Sequence, residues 1–407
     1  MGRCIKTSVG TNTGAGYELS PPLREIKTSA PMKILYAALR HDPRNPDLAS
    51  GVDYNFYSAF LRGGAEVKLV GPFCDAGSLA ERALKRTYVR LTGKKYLKWN
   101  LKITRKSAAE LNRMEAAWRP DLVFSLFPPP LAFYGGKAPC VFNTDTTMQG
   151  WQEAGAGFGN LALRFMAWEE QRAVRKSACI ITFSDWCKNE IISRHGVNAD
   201  RVIVQPMPSA LPSSVVLATD KFQPKLIDWP LQLLLVGRDY ERKGVPMAIE
   251  ITKQLNQGGM PAKLTICGLT GEPNEQVRFA GLFRKSVPDE LERYANLYRQ
   301  AHLLIHPAVF EPAGIVPAEA AAFGVPTITN ACGGLATSVT DGRTGIVLPK
   351  HSSMEPYVGA ITRLLQNPDD YRRLSAGARD RYDREQNWGV VGKRVMQILQ
   401  EIVASRN

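Results

Sequence analysis

Two carboxylates eight positions apart, Glu311 and Glu319, stand in a segment whose neighbours restrict the backbone: Phe310-Glu311-Pro312-Ala313-Gly314-Ile315-Val316-Pro317-Ala318-Glu319-Ala320. The apolar run Leu303-Leu304-Ile305 precedes it, and Ala-rich sequence stopping at Gly324 follows. This spells a strand, a turn at Pro312 to Gly314, and a helix opening near Val316. Such a helix start offers free backbone N–H groups and the positive end of a dipole, which suits a phosphate. Glu311 would point into the space ahead of the helix, with Glu319 about two turns along it. A ligand with phosphate in the middle and hydroxyls at both ends uses all of these groups. A nucleotide-sugar is such a ligand.

A second group lies upstream. The apolar run Leu231 to Val236 ends in Gly237, and the turn Arg238-Asp239-Tyr240-Glu241-Arg242-Lys243-Gly244 leads into a helix at Val245-Pro246. A guanidinium and an ammonium at the mouth of a strand-to-helix loop clamp a diphosphate, Arg238 by forked hydrogen bonds and Lys243 as a point charge.

Together these segments resemble the family-4 glycosyltransferases, retaining enzymes of the two-domain GT-B architecture. The likeness rests on Phe-Glu-Pro-x-Gly, Glu319-Ala-x-x-x-Gly324-x-Pro326 and the Gly237-Arg238, spacer, Lys243-Gly244 arrangement. It implies that Glu319 holds the donor ribose and Glu311 the donor sugar. The backbone of Ala313, Gly314, Ile315 and Val316 would meet the diphosphate and sugar. It further implies a nucleobase pocket near Phe283, with Leu282, Arg284 or Lys285 as neighbours, and a glycine loop at Gly51 facing the phosphates. Asp145 and Thr146 would sit beside the acceptor. Gly333 and Gly334 would let backbone approach the donor. The resemblance implies front-face displacement with Asp145, Arg238, Lys243 and Glu311 in the catalytic group, no covalent nucleophile, and cations in place of a metal.

The elements that must position these groups alternate strand and helix along the chain, an α/β class with parallel sheets. At 407 residues two domains are expected. We read residues 1–31 as a tail, 32–208 as an acceptor domain, 209–385 as a donor domain, and 386–407 as a helix crossing back. Strands are expected at Met32–Ala38, Ala65–Gly71, Asp121–Leu126, Cys140–Asn143, Cys179–Ser184, Arg201–Pro206, Ala262–Gly268 and Val277–Phe283, and helical sequence over 353–383. Asp145 and Thr146 lie just past a strand's carboxyl end, where open α/β sheets bind ligands.

Seven scattered cysteines without a Cys-x-x-Cys pair, and five histidines without ligand spacing, give no metal site and fit reduced thiols in a cytoplasmic protein. No cofactor is expected. No apolar run approaches the ~20 residues that cross a bilayer. The net charge is +14, and residues 78–119 hold twelve Lys or Arg against three Glu. Leu79 to Leu91 is helical by its apolar residues at 80, 84, 88 and 91. Such a face is either solvated, or a peripheral contact with anionic membrane or an acidic acceptor. Tyr88, Tyr96, Trp99 and Trp118 interleave with the cations but form no nucleic-acid motif, so nucleic acid is disfavoured.

The function the resemblance implies is transfer of a hexose, from a UDP-sugar before a GDP-sugar, to the hydroxyl of a glycan, lipid-linked sugar or small molecule, with retention at the anomeric carbon. The alternatives are a sucrose-synthase-like transferase and a non-catalytic basic lipid- or nucleic-acid-binding protein on the same fold.

Overall fold

The computed structural model describes residues 30–73, 79–97 and 101–406. Trp99, Cys4, Cys74 and almost all of the expected tail lie outside the described residues.

The first sheet contains β1 (Lys33–Ala37), β2 (Glu66–Val70), β3 (Leu122–Ser125), β4 (Cys140–Thr144), β5 (Cys179–Thr182) and β6 (Val202–Val204). Its strands are all parallel, in the order β2-β1-β3-β4-β5-β6. Around it lie α1 (Val52–Arg62), α2 (Leu79–Thr92), α3 (Leu101–Trp118), α4 (Met148–Glu153), α5 (Asn160–Lys176) and α6 (Asp185–His195). The second sheet contains β7 (Leu231–Val236), β8 (Ala262–Cys267), β9 (Val277–Gly281), β10 (Leu303–His306), β11 (Thr327–Asn330) and β12 (Gly345–Leu348). Its order is β12-β11-β10-β7-β8-β9, again parallel throughout. Its helices are α7 (Val245–Gln257), α8 (Pro288–Gln300), α9 (Ile315–Ala322), α10 (Leu335–Ser338), α11 (Met354–Gln366) and α12 (Pro368–Arg381). A last helix, α13 (Trp388–Ala404), follows.

Parallel strands buried on both faces need near-continuous apolar sequence, and β3, β4, β5, β10 and β11 have no exposed position. Each sheet reverses its strand order once, between β1 and β3 in the first and between β7 and β10 in the second. Ligands bind outside the carboxyl ends of strands at such reversals. The two reversals face each other across a cleft.

The helical segment 353–383 divides at Asn367, because Pro368 has no N–H to donate and Asn367 before it leaves helical geometry (φ −127°, ψ 78°). The strand expected over 277–283 stops at Gly281, which turns left-handed at φ +73°. That expected over 201–206 is shorter, since Pro206 cannot extend the ladder after Gln205 donates to Thr182 O (2.8 Å). α13 packs on the first domain: Trp388 meets Phe56 edge-on at 5.0 Å, and Val391, Val395 and Leu399 join the core of β1, β3 and α1.

Candidate functional site

The turn after β7 places its cations by exclusion. Gly237 sits where a Cβ would come within 2.5 Å of Lys243 Cγ, so only glycine lets the lysine stem lie against the strand end. Gly244 starts α7 in a left-handed conformation (φ +71°), with a Cβ position 2.0 Å from Pro307 O. Lys243 is thereby buried with its ammonium inside the cleft, whereas Arg238 is exposed at the cleft wall.

The loop after β10 brings Glu311 to meet it. The Lys243 ammonium donates to Glu311 Oε2, Arg242 Nη1 lies 3.4 Å from the same oxygen, and His306 Nε2 lies 3.7 Å away. Arg242 also donates to Phe310 O (3.0 Å), which fixes the turn. Burial raises the Glu311 pKa, but Lys243 and His306 together outweigh it, and the carboxyl stays charged far below the usual carboxylate range. His306 is fully buried, and burial first, then Lys243, push its pKa down. The sequence reading overlooked Arg242 and His306. The signal for His306 was present: a histidine ends an otherwise apolar strand directly before the carboxylate loop.

Glu319 lies on α9, the helix that opens directly after this turn. Its Oε2 accepts from the hydroxyls of Tyr294 (2.6 Å) and Tyr298 (2.8 Å), both on α8, and its Oε1 from Lys285 Nζ (2.6 Å). Lys285, expected near a base edge, is thus an ion-pair partner of the glutamate. Arg284 instead pairs with Glu290.

A cavity of about 430 Å³ runs between these groups. Gly237, Arg238, Lys243, Phe283, Glu311, Ile315, Val316 and Glu319 all line it. Gly314, Ala313 and Gly51 stand behind the wall. Gly314 starts α9 left-handed (φ +78°) against Ser338, and Ala313 is packed in the first-domain core. Gly51 starts α1, while its neighbours Pro46, Asp47 and Ser50 line the cavity from the opposite domain. Asp47 crosses the cleft: Oδ1 accepts from Ser286 N (2.9 Å) and Oδ2 from the Ser286 hydroxyl. Gly333 and Gly334 do not approach this cavity. Their Cβ positions fall 2.2 Å from Glu311 O and Pro312 O, so they make room for the carboxylate turn itself.

Asp145 and Thr146 line a separate pocket of about 160 Å³ at the first sheet's reversal, with Arg40, His41, Trp151 and Glu170. Thr146 is buried and Asp145 half-buried. Glu170 is also buried; Met148 N donates to it (3.2 Å), and His195 Nε2 lies 3.3 Å away. Nothing in its helical spacing distinguished Glu170 from a solvated residue. The domains meet beside this pocket, where Phe310 sits edge-on to Trp151 (5.8 Å) and Trp186 (5.5 Å) of the first domain.

The arrangement suits an elongated anionic ligand carrying hydroxyls. Arg238 and Lys243 supply positive charge to the cavity, and the two glutamates in its lining can accept hydroxyls. The pocket at Asp145 opens from the facing domain.

A family model described as glycosyltransferase family 4 matches residues 54–208, and one described as glycosyl transferases group 1 matches residues 218–381. Glycogen synthase of Mycobacterium tuberculosis is 28% identical over 301 residues, 70% of this chain and 69% of that protein. Sucrose-phosphate synthase of Thermosynechococcus elongatus superposes with a TM-score of 0.67 at 18% identity, covering 92% of this chain and 100% of the other. An Anabaena protein solved with UDP-glucose gives 0.59 at 16% identity, over 91% and 100%. The shared fold is GT-B.

Proposed function

The chain belongs to the family-4 glycosyltransferases, and from that premise we propose that it moves a hexose from a UDP-sugar to an acceptor hydroxyl with retention at the anomeric carbon. The observation that carries this is the buried Lys243–Glu311 pair, set in one cavity with Arg238 and Glu319. In our reading the diphosphate lies against Arg238 and the Lys243 ammonium, the hexose hydroxyls on Glu311, and the ribose on Glu319. Phe283 packs on the base. The Anabaena neighbour solved with UDP-glucose supports uridine.

The Lys243 ammonium is held by Glu311, so it is oriented before the donor arrives. Charge growing on the leaving diphosphate meets fixed cations in a water-poor cleft, where such stabilisation is strongest. We assign this work to Arg238 and Lys243 rather than to a metal. As the bond from the anomeric carbon to the diphosphate breaks, the departing phosphate oxygen takes the acceptor proton and the acceptor oxygen bonds that carbon on the same face, which preserves configuration. Asp145 and Thr146 position the acceptor hydroxyl. Cleft closure, with Phe310 between two tryptophans, keeps water from the activated sugar.

The basic helix α2 favours an added peripheral role at an anionic membrane. Leu79, Leu84 and Leu91 are 78%, 57% and 79% exposed, and Arg82, Arg86 and Arg90 accompany them. Among the described residues no helix is long and apolar enough to cross a membrane.

Thermal unfolding with UDP, GDP, ADP and their hexose conjugates tests the donor assignment, with and without EDTA. UDP at 100 times its dissociation constant should add about 2.7 kcal/mol, and chelation should leave that gain intact. No gain from any nucleotide defeats the proposal. Proton NMR of the product linkage reads retention directly.

A further inference from the structure

A third cavity, of about 640 Å³, opens between α2 and the turn after β7. It belongs to neither pocket described above, yet it joins both. Arg40 and Trp151 line it together with the Asp145 pocket, and Arg242 lines it together with the donor cavity. A molecule whose hydroxyl sits at Asp145 therefore has one roomy direction in which to extend, past Arg40 and Trp151.

The chemistry of its walls is uneven. Lys85, Lys95 and Arg40 line it, and none of these three cations makes an ion pair among the described residues. Asp239 and Glu241 line the cavity as well, and Arg242 pairs with Asp239 (3.6 Å). The walls are built rather than incidental. Lys95 N donates to Gly157 O (2.7 Å) and Gly159 N to Lys95 O (3.1 Å), which ties the lysine-bearing loop to the loop after α4. Tyr88 of α2 packs edge-on to Tyr96 (5.2 Å), so the loop and the helix are fixed to each other. Val89, Tyr96 and Trp151 supply an apolar surface beside the cations.

We propose that this cavity is an acceptor subsite for an anionic group, phosphate or carboxylate, carried on a ring or chain that packs on Tyr96 and Trp151. The inference rests on the transferase reading and names its acceptor class: hydroxyl at Asp145, anion at Lys85, Lys95 and Arg40. Cations lining one cavity without ion-pair partners favour an anion, because an arriving phosphate breaks no existing ion pair at them.

4-Nitrophenyl phosphate is the probe, with 4-nitrophenyl glucoside as its neutral counterpart, and Trp151 supplies the fluorescence signal. The phosphate should bind, and the Lys85→Ala/Lys95→Ala variant should bind it at least tenfold more weakly, the loss of one charge-assisted contact or more. Saturating UDP should leave the probe's affinity within twofold. Equal affinity for the wild type and the double variant, equal binding of the neutral glucoside, or displacement by UDP overturns the proposal. The UDP thermal shift is the separate reading for the donor site. If UDP gives none while the probe still binds at the lysines, the transferase reading fails and the anion site stands. Displacement of the probe by inositol phosphates marks a soluble acceptor, and displacement by phosphatidylglycerol vesicles marks a bilayer-borne one; either supports the site.

Discussion

Each domain buries a carboxylate near its own sheet reversal, and the two are kept in opposite states. Glu311 is surrounded by Lys243, Arg242 and His306 and stays ionised far below the ordinary range. Asp53, at the start of α1, has a Tyr36 hydroxyl as its close partner, and Asp42 is the nearby charge that acts on it. Burial chiefly, then Asp42, raise its pKa to about 6 against the lowering effect of the Tyr36 hydrogen bond. A carboxylate facing cations can bind ligand hydroxyls as a permanent acceptor, whereas one facing a phenol holds a helix start. The same residue class thus serves ligand binding in one half and architecture in the other.

The most severe break of this contrast is Glu311→Gln. It leaves a buried ammonium without its counter-charge, a loss of about 3–5 kcal/mol in urea unfolding, and transfer should fall at least about a hundredfold. Unchanged stability would mean that water reaches Lys243. Next comes Asp53→Asn. With its folded pKa above the unfolded value, Asp53 contributes stability that is complete below about pH 4 and lost as pH rises through 6. The variant should therefore gain on the wild type across that window, by about 2–3 kcal/mol at pH 7. Glu311 has the opposite sign: its contribution is present above the unfolded value and lost as pH falls toward the depressed one. A variant-minus-wild-type difference that is flat between pH 4 and 7 would contradict the assignment for Asp53.

A milder change, Tyr298→Phe, removes one of two hydroxyls from Glu319 Oε2. Donor KM should rise about tenfold with kcat nearly constant, the effect of one hydrogen bond to a charged acceptor. A fall in kcat alone would place Glu319 in the chemical step instead. Asp47→Ala is the smallest, a two- to threefold rise in donor KM from losing two exposed hydrogen bonds to Ser286. It sharpens the comparison by asking how much the first domain holds the donor cavity shut.

Legibility in the sequence followed the same division. The parallel α/β order, both cations and both glutamates of the second domain could be read, because glycines and prolines at fixed offsets leave those turns few conformations. The first domain gave less. The loop from Arg40 to Gly51 carries mixed charge, and nothing local shows that Asp47 reaches Ser286 in the other domain. Asp53, Glu169 and Glu170 resemble solvated helix residues until tertiary packing buries them. Burial of a charge is decided by partners far away in sequence: Thr104 for Glu169, His195 for Glu170. Lys285 was legible as a cation of the donor pocket but not as the partner of Glu319, since a loop's path after a strand is not written in periodicity.

The return of α13 has a consequence for synthesis. The first domain's core is completed by Trp388, Val391, Val395 and Leu399, about 180 residues after that domain's last strand. At roughly 5–20 residues per second, a nascent chain carries an unfinished apolar face on α1 for about 10–40 s. The second domain, whose central core is drawn from residues 227–374, is made within that interval and needs nothing later for that core. The half made first is thus the half finished last, and a chain ending before Trp388 should bind a hydrophobic dye through Phe56 and Ala59 while its second domain remains folded.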